Sequence, residues 1–215
     1  MNDQEIDIIN TSTRNEQLKK FFQNKFKSIL VTTLLLLILI FSYLFFNYQK
    51  ENKKKDISNT YNELTLSVNK TNQSQKLTEF KSIILAKDKT YSPLALYYLI
   101  DNEMIENVDE INLYFDLVIN DLGLNKDLKY LNIYKKALYN SQYIKTDELI
   151  EMLKPIIENE NVWKSHGLFL IAENLISIGR KDESKQYYKK IVEDIQSNKN
   201  IKLEAQKRIQ RDLGD

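Results

Sequence analysis

The chain has 215 residues, and its 31 basic and 30 acidic side chains leave a net charge of +1 at pH 7. This balance argues against a nucleic-acid-binding protein, because that class needs a basic excess to displace counterions from phosphates. The absence of cysteine and the presence of one histidine, His166, argue against zinc sites and Cys–His nucleophile pairs.

Residues 1–28 form a short polar tail, with five of the basic and four of the acidic side chains. A segment of this length is too short to bury a core of its own. The remaining 26 basic and 26 acidic side chains lie in residues 49–215, because residues 29–48 carry none. The length of this third segment suits one soluble domain.

Residues 29–48 are apolar, and the run is long enough to cross the hydrocarbon core of a bilayer. A secretory signal has a shorter apolar core and small residues for cleavage, whereas this run ends in aromatic residues. A buried core helix keeps a polar stripe, which is nearly missing here. The run therefore predicts a single transmembrane anchor. Its anchor residues are Ile29, Leu34, Ile38, Phe41 and Phe45.

The lysines that flank the anchor leave its orientation open. Residues 19–27 hold four lysines and residues 50–55 hold four more, so the positive-inside rule is nearly balanced. A large domain translocates largely regardless of charge, which permits an external C-terminal domain without requiring it. The lysines at 53–55 fit both a contact with anionic headgroups and a solvated flank of the anchor.

The rest of the chain predicts an all-α fold. Four glycines and two prolines are too few for a β architecture with many tight turns, and apolar residues recur at spacings of three and four. Ser92 before Pro93 predicts a helix start with a serine cap. Pro155 predicts a kink or an early helix end. The first helix predicted after the anchor ends near residue 68. The helices predicted after it cover about 77–85, 92–100, 109–120, 127–140, 146–157, 163–178 and 181–196.

These helices are too short to be stable alone, so neighbours must pair and stack. The last pair fits the tetratricopeptide pattern best, because small Ala172 and Ser184 permit a close approach and Tyr188 follows. Ala137 lies 35 residues before Ala172, and a third copy near Ala95 needs extra residues. The sequence therefore predicts a degenerate tetratricopeptide-like solenoid of helical hairpins over residues 49–215.

The first helix of each pair lines the concave side of such an array. Taking the faces opposite Ala137 and Ala172, we predict a partner-binding groove that contains Tyr134, Leu138, Phe169 and Glu173. Trp163 has two interpretations: an anchor for a partner, or a wedge between adjacent hairpins, which its place near a helix start favours.

A polar tail, an anchor near residue 30 and a degenerate repeat domain together resemble the bacterial ancillary SecYEG translocon subunit family. Residues 159–188, Trp163 included, resemble the last hairpin of that family, and residues 90–100 are similar to the opening of its second hairpin. The basic C-terminal helix with Ala205 and Arg208 also fits. The resemblance implies a single-pass inner-membrane protein, with a cytoplasmic N-terminus and a periplasmic C-terminal domain.

The predicted function is protein binding at the Sec translocon, with newly exported polypeptides handed to periplasmic chaperones. The expected partners are these proteins and membrane lipid, with no nucleic acid, small-molecule substrate, metal or cofactor. Neighbouring acids such as Asp109 and Glu110 imitate a catalytic pair, but they suit helix starts better. Without a nucleophile, phosphate or metal motif, we expect no enzyme activity. The alternative is an envelope scaffold for cell-division or cell-wall machinery.

Overall fold

The computed structural model describes residues 3–66, 73–212 and 214, with only the backbone described for 3–18, 20–24 and 29. Within these residues every regular element is an α-helix, which confirms the predicted all-α fold. Val68, near which the first segment was predicted to end, lies outside the described residues. The helices are α1 (Asp3–Leu66), α2 (Gln73–Leu85), α3 (Tyr91–Asp101), α4 (Val108–Asp121), α5 (Lys126–Asn140), α6 (Thr146–Ile157), α7 (Lys164–Ser177), α8 (Lys181–Glu193) and α9 (Lys199–Asp212).

The chain divides into two compact units, residues 1–56 and residues 57–215. The first unit contains the predicted anchor, and the stretch Lys25–Leu66 of α1 is long and apolar enough to cross a membrane. The side chains of Leu34, Ile38, Phe41 and Phe45 are all exposed, as lipid contact requires. The side chain of Ile29 lies outside the described residues.

α1 extends well beyond the predicted anchor on both sides, whereas the sequence predicts a separate helix that ends near residue 68, so the continuity of α1 was not predicted. Its physical reason is the absence of helix breakers, because the first glycine or proline of the chain is Pro93. The boundary between the two units lies between residues 56 and 57, which is inside α1 and not at the end of the apolar run.

The second unit repeats a helical pair. Helices α2, α4, α6 and α8 start at residues 73, 108, 146 and 181, and helices α3, α5, α7 and α9 start at 91, 126, 164 and 199. Both series advance by 35, 38 and 35 residues, close to the 34-residue tetratricopeptide period. We call α3, α5, α7 and α9 the first-helix row. In this row α5 packs on α7, and α7 packs on α9.

The predicted small residues lie where helices approach closely. Ala95, Ala137, Ala172 and Ala205 are completely buried, one on each helix of the first-helix row. The hydroxyl of the buried Ser184 donates to the Ala172 carbonyl oxygen at 2.9 Å. A larger side chain at either position of the α7–α8 pair would separate the two backbones.

Polar contacts recur with the repeat. Asn112 and Asn140 exchange two amide hydrogen bonds, at 2.9 and 2.7 Å. A single hydrogen bond occupies the corresponding positions 34 residues later, where the Thr146 hydroxyl donates to Asn174 Oδ1 at 2.7 Å. Each contact joins the end of a first-row helix to the beginning of a helix in the other row, so it fixes the register of neighbouring helices.

Replacing Asn140 with alanine should destabilise the second unit by about 1–3 kcal/mol, because the amide of Asn112 then lacks its partner in a half-buried site. The check is urea unfolding followed by circular dichroism. Asn120→Ala is the matched control, since Asn120 is exposed on the neighbouring helix. Equal unfolding midpoints for the two variants would contradict a register role for the amide pair.

The prediction at Ser92 was wrong, and one of the two outcomes predicted for Pro155 does not occur. Ser92 does not cap α3, which begins at Tyr91; the buried Ser92 hydroxyl instead donates to the Ile83 carbonyl oxygen at 2.9 Å. The cap comes from Asp88, whose Oδ1 accepts from the amides of Thr90 and Tyr91. A kink or an early helix end was predicted at Pro155, and the early end does not occur, because α6 continues to Ile157, the boundary that the apolar spacing predicts.

Candidate functional site

An open groove lies between the N-terminal halves of α3 and α5, in the first-helix row. We call it the α3–α5 groove; its volume is about 250 Å³. Six of its nine lining residues are apolar, so the surface offers contact mainly to apolar groups. The lining residues are Lys89, Thr90, Pro93, Leu94, Tyr97, Leu124, Leu128, Leu131 and Asn132.

The polar atoms at the floor of the groove are already bonded within the protein. The Tyr97 hydroxyl donates to Asn132 Oδ1 at 2.5 Å, and Asn132 Nδ2 donates to the Leu128 carbonyl oxygen at 2.7 Å. Burial raises the pKa of Tyr97 well above its ordinary value, so its phenol stays neutral. The floor of the α3–α5 groove therefore presents an uncharged surface to a bound partner.

Two lysines provide positive charge at the groove. Lys89 Nζ donates to the Gly123 carbonyl oxygen at 2.7 Å, and Lys135 Nζ lies 4.0 Å from the centroid of the Tyr97 ring. Neither lysine forms an ion pair with a carboxylate of the described residues. Gly123 has a φ of +57°, a left-handed conformation that favours glycine, and it turns the α4–α5 loop across this end of the groove.

The four groove residues predicted from the sequence do not gather at this opening. Tyr134 is half-buried and stacks on Trp163 at 5.8 Å between ring centroids, with the His166 ring at 5.9 Å. Trp163 immediately precedes α7 and packs against α5, which confirms its interpretation as a wedge between hairpins. Burial lowers the pKa of His166, so a neutral imidazole completes this aromatic cluster at pH 7.

Phe169 and Glu173 face α8 and α9. The Phe169 ring packs edge-on against Tyr188 at 5.5 Å, and Glu173 accepts hydrogen bonds from the Tyr188 hydroxyl and from Arg208 Nη2, the latter at 2.9 Å. The side chains of Phe169 and Glu173 therefore connect α7 to α8, and Glu173 also connects α7 to α9. Leu138 alone of the four is exposed, at 47 %.

Three leucines that line the groove were not predicted from the sequence: Leu94, Leu128 and Leu131. The signal was present, because these leucines lie off the stripe of buried positions on α3 and α5. Leu94 and Leu128 remain 39 % and 43 % exposed. An apolar residue outside the core stripe is the pattern that would have indicated them.

A second cleft, between α6, α7 and α8, has a volume of about 610 Å³. Its lining includes charged residues of both signs. Two of them pair with each other, since Lys164 Nζ lies 3.4 Å from Asp194 Oδ2, and Lys164 Nζ also lies 2.5 Å from Glu160 Oε1. The lining of this cleft is therefore more charged than that of the α3–α5 groove.

The neighbouring acids lie at helix starts, as the sequence predicts. Asp109 and Glu110 are in the first turn of α4, where carboxylates meet the positive end of the helix dipole. Glu110 also forms an ion pair with Lys81 at 2.6 Å and accepts from the Tyr114 hydroxyl at 2.9 Å. Among the described residues, no group of three or more His, Cys, Asp or Glu side chains is arranged to hold a metal ion.

The hydrogen bond from Lys81 lowers the pKa of Glu110 below its ordinary 4.5. A carboxylate with a lowered folded-state pKa stabilises the fold above its unfolded-state pKa, and this contribution is lost as pH falls through the lower value. We therefore expect the stability difference between the wild type and Glu110→Gln to shrink on acidification below pH 4.5. Thermal melts over an acidic pH series measure it, with Glu106→Gln, an exposed acid of the preceding loop, as control. A difference independent of pH would contradict the ion pair.

Comparison with protein-family models, with curated proteins and with solved structures finds no match for this chain.

Proposed function

We propose that this protein is a membrane-anchored protein-interaction module that associates with the Sec translocon and helps to hand newly exported polypeptides to periplasmic chaperones. The observation that carries the proposal is the open apolar groove on a helical-repeat domain whose chain also contains a helix long enough to span a membrane. Helical-repeat arrays bind other proteins through extended surfaces of this kind.

The resemblance of residues 90–100 and 159–188 to the ancillary translocon subunit family supports the finer part of the proposal. This resemblance implies an inner-membrane location, a cytoplasmic N-terminus and a periplasmic repeat domain. The proposal includes no catalytic step, because the groove has an apolar lining whose polar floor atoms are occupied internally.

The test is crosslinking in native membranes, followed by co-purification of the tagged full-length protein in mild detergent and mass spectrometry. We expect recovery of the translocon core together with periplasmic folding factors. Recovery of cell-division or wall-synthesis proteins without the translocon would reject the export role in favour of an envelope scaffold. A charge-matched single-pass protein with an unrelated periplasmic domain controls for non-specific membrane contacts.

A further inference from the structure

The α3–α5 and α5–α7 junctions of the first-helix row differ at one repeat-equivalent position. Five buried residues of α5 each have a buried counterpart 35 residues later in α7, so positions on the two helices correspond at this spacing. At this 35-residue spacing of buried positions, Leu128, the third residue of α5, corresponds to Trp163, which immediately precedes α7 because α7 begins three residues later in this alignment than α5 does. The indole of Trp163 covers its junction by stacking on Tyr134, whereas the smaller Leu128 leaves the α3–α5 groove open.

We infer that the α3–α5 groove binds a segment of a partner polypeptide in which one large apolar side chain is flanked by acidic residues. The apolar side chain would occupy the space that a tryptophan fills at the next junction. This inference rests on the proposed function, since it names the kind of sequence that such a module would select among its partners.

The size of the groove favours side chains over a free small molecule. Its volume of about 250 Å³ is below the range of roughly 300–1,000 Å³ that is usual for small-molecule pockets. It is open along one side, and its six apolar residues surround a neutral floor. These features suit one or two apolar side chains that project from a chain lying across the opening.

The charge around the groove selects for acidic neighbours. No acidic residue is among the nine that line it, and Lys89 and Lys135 have no carboxylate partner within the described residues. α5 carries four lysines against one aspartate, Asp127, and one of the four, Lys136, forms an ion pair with Asp116 at 2.7 Å. The nearby Asp88 carboxylate is held by the first amides of α3, which offset its charge. A partner with carboxylates beside its apolar side chain would therefore complement this surface.

The experiment uses the full-length protein in detergent and two fluorescein-labelled probe peptides. Both peptides have twelve residues and one central Phe, which is flanked by Asp and Glu in one peptide and by Lys in the other. Fluorescence anisotropy at two salt concentrations measures their binding. We expect the acidic peptide to bind about ten-fold more tightly than the lysine peptide, with the difference reduced at high salt.

Two tryptophan variants test the location. Leu128→Trp places a tryptophan side chain in the groove, as Trp163 does at the repeat-equivalent position. This variant should weaken binding of the acidic peptide about ten-fold. Leu113→Trp is the matched control, because Leu113 is an exposed leucine of α4 that does not line the groove. Circular dichroism melts verify that both variants fold. The double variant Lys89→Gln/Lys135→Gln should remove most of the salt dependence.

Equal binding of the two peptides, absence of binding, or equal losses in the two tryptophan variants would each overturn the assignment. The crosslinking experiment on wild type separates this failure from failure of the proposed function. Translocon recovery without selective peptide binding would retain the export role and reject the groove's partner. Selective peptide binding without translocon recovery would retain the groove and reject the export role.

Discussion

Replacing Tyr188 with alanine should destabilise the C-terminal part of the repeat domain by about 3–5 kcal/mol. Tyr188 is completely buried at the centre of a cluster that joins α7, α8 and α9. Truncation removes its ring from the edge-on contact with Phe169 and leaves a cavity. It also removes one of the two donors that serve Glu173.

The hydroxyl and the ring can be separated by a second variant. Tyr188→Phe keeps the ring and should lose about 1.5–3 kcal/mol, the contribution of a hydrogen bond to a charged group. Leu203→Ala is the control, because Leu203 lies on α9 but is 55 % exposed. Urea unfolding measures all three variants. A loss of less than about 1 kcal/mol for the alanine variant would contradict a packing role for the ring.

The structure also predicts which helices the Tyr188→Ala substitution destabilises. In a solenoid each repeat contacts its neighbours, so stability is close to a sum of local terms. Hydrogen exchange should therefore accelerate in α8 and α9 of the Tyr188→Ala variant, while α3 and α4 keep their protection. Uniform acceleration across the second unit would show that it unfolds as a single cooperative body.

The sequence predicts the helices well wherever apolar spacing and local signals agree. The predicted bounds of α6 coincide with the observed ones, because Leu149, Leu153 and Ile156 define one face and two acids occupy the first turn. The repeat spacing from Ala137 to Ala172 also survives in the packing. These features depend on neighbours within one helix, which a sequence pattern records directly.

The candidate site was harder to predict because it depends on contacts between helices. The choice of Tyr134 and Phe169 assumed that a face opposite a buried alanine meets solvent, but these side chains meet Trp163 and Tyr188 instead. Periodicity identifies the faces of a helix and does not show which face the next helix covers. The groove at Leu128 arises from the size of a side chain at one junction, so only the assembled row of helices shows it.

Two arginines in the middle of the apolar run should remove the protein from the membrane. Leu36 and Leu39 lie near the centre of the run and are 55 % and 66 % exposed. Each arginine at the centre of a membrane-spanning helix costs about 2.5–3.5 kcal/mol on insertion scales. The double variant Leu36→Arg/Leu39→Arg thus loses roughly 5–7 kcal/mol of insertion free energy, before any snorkelling of the side chains.

Carbonate extraction of membranes, followed by immunoblotting of pellet and supernatant, measures this effect. We expect the wild type in the pellet and the double variant in the supernatant. The matched control is Leu113→Arg/Leu203→Arg, which adds the same charges at leucines that are 68 % and 55 % exposed in the second unit. Because these two leucines lie outside the apolar run, the control should remain in the pellet. Retention of the Leu36→Arg/Leu39→Arg variant would mean that contacts other than the apolar part of α1 hold the protein at the membrane.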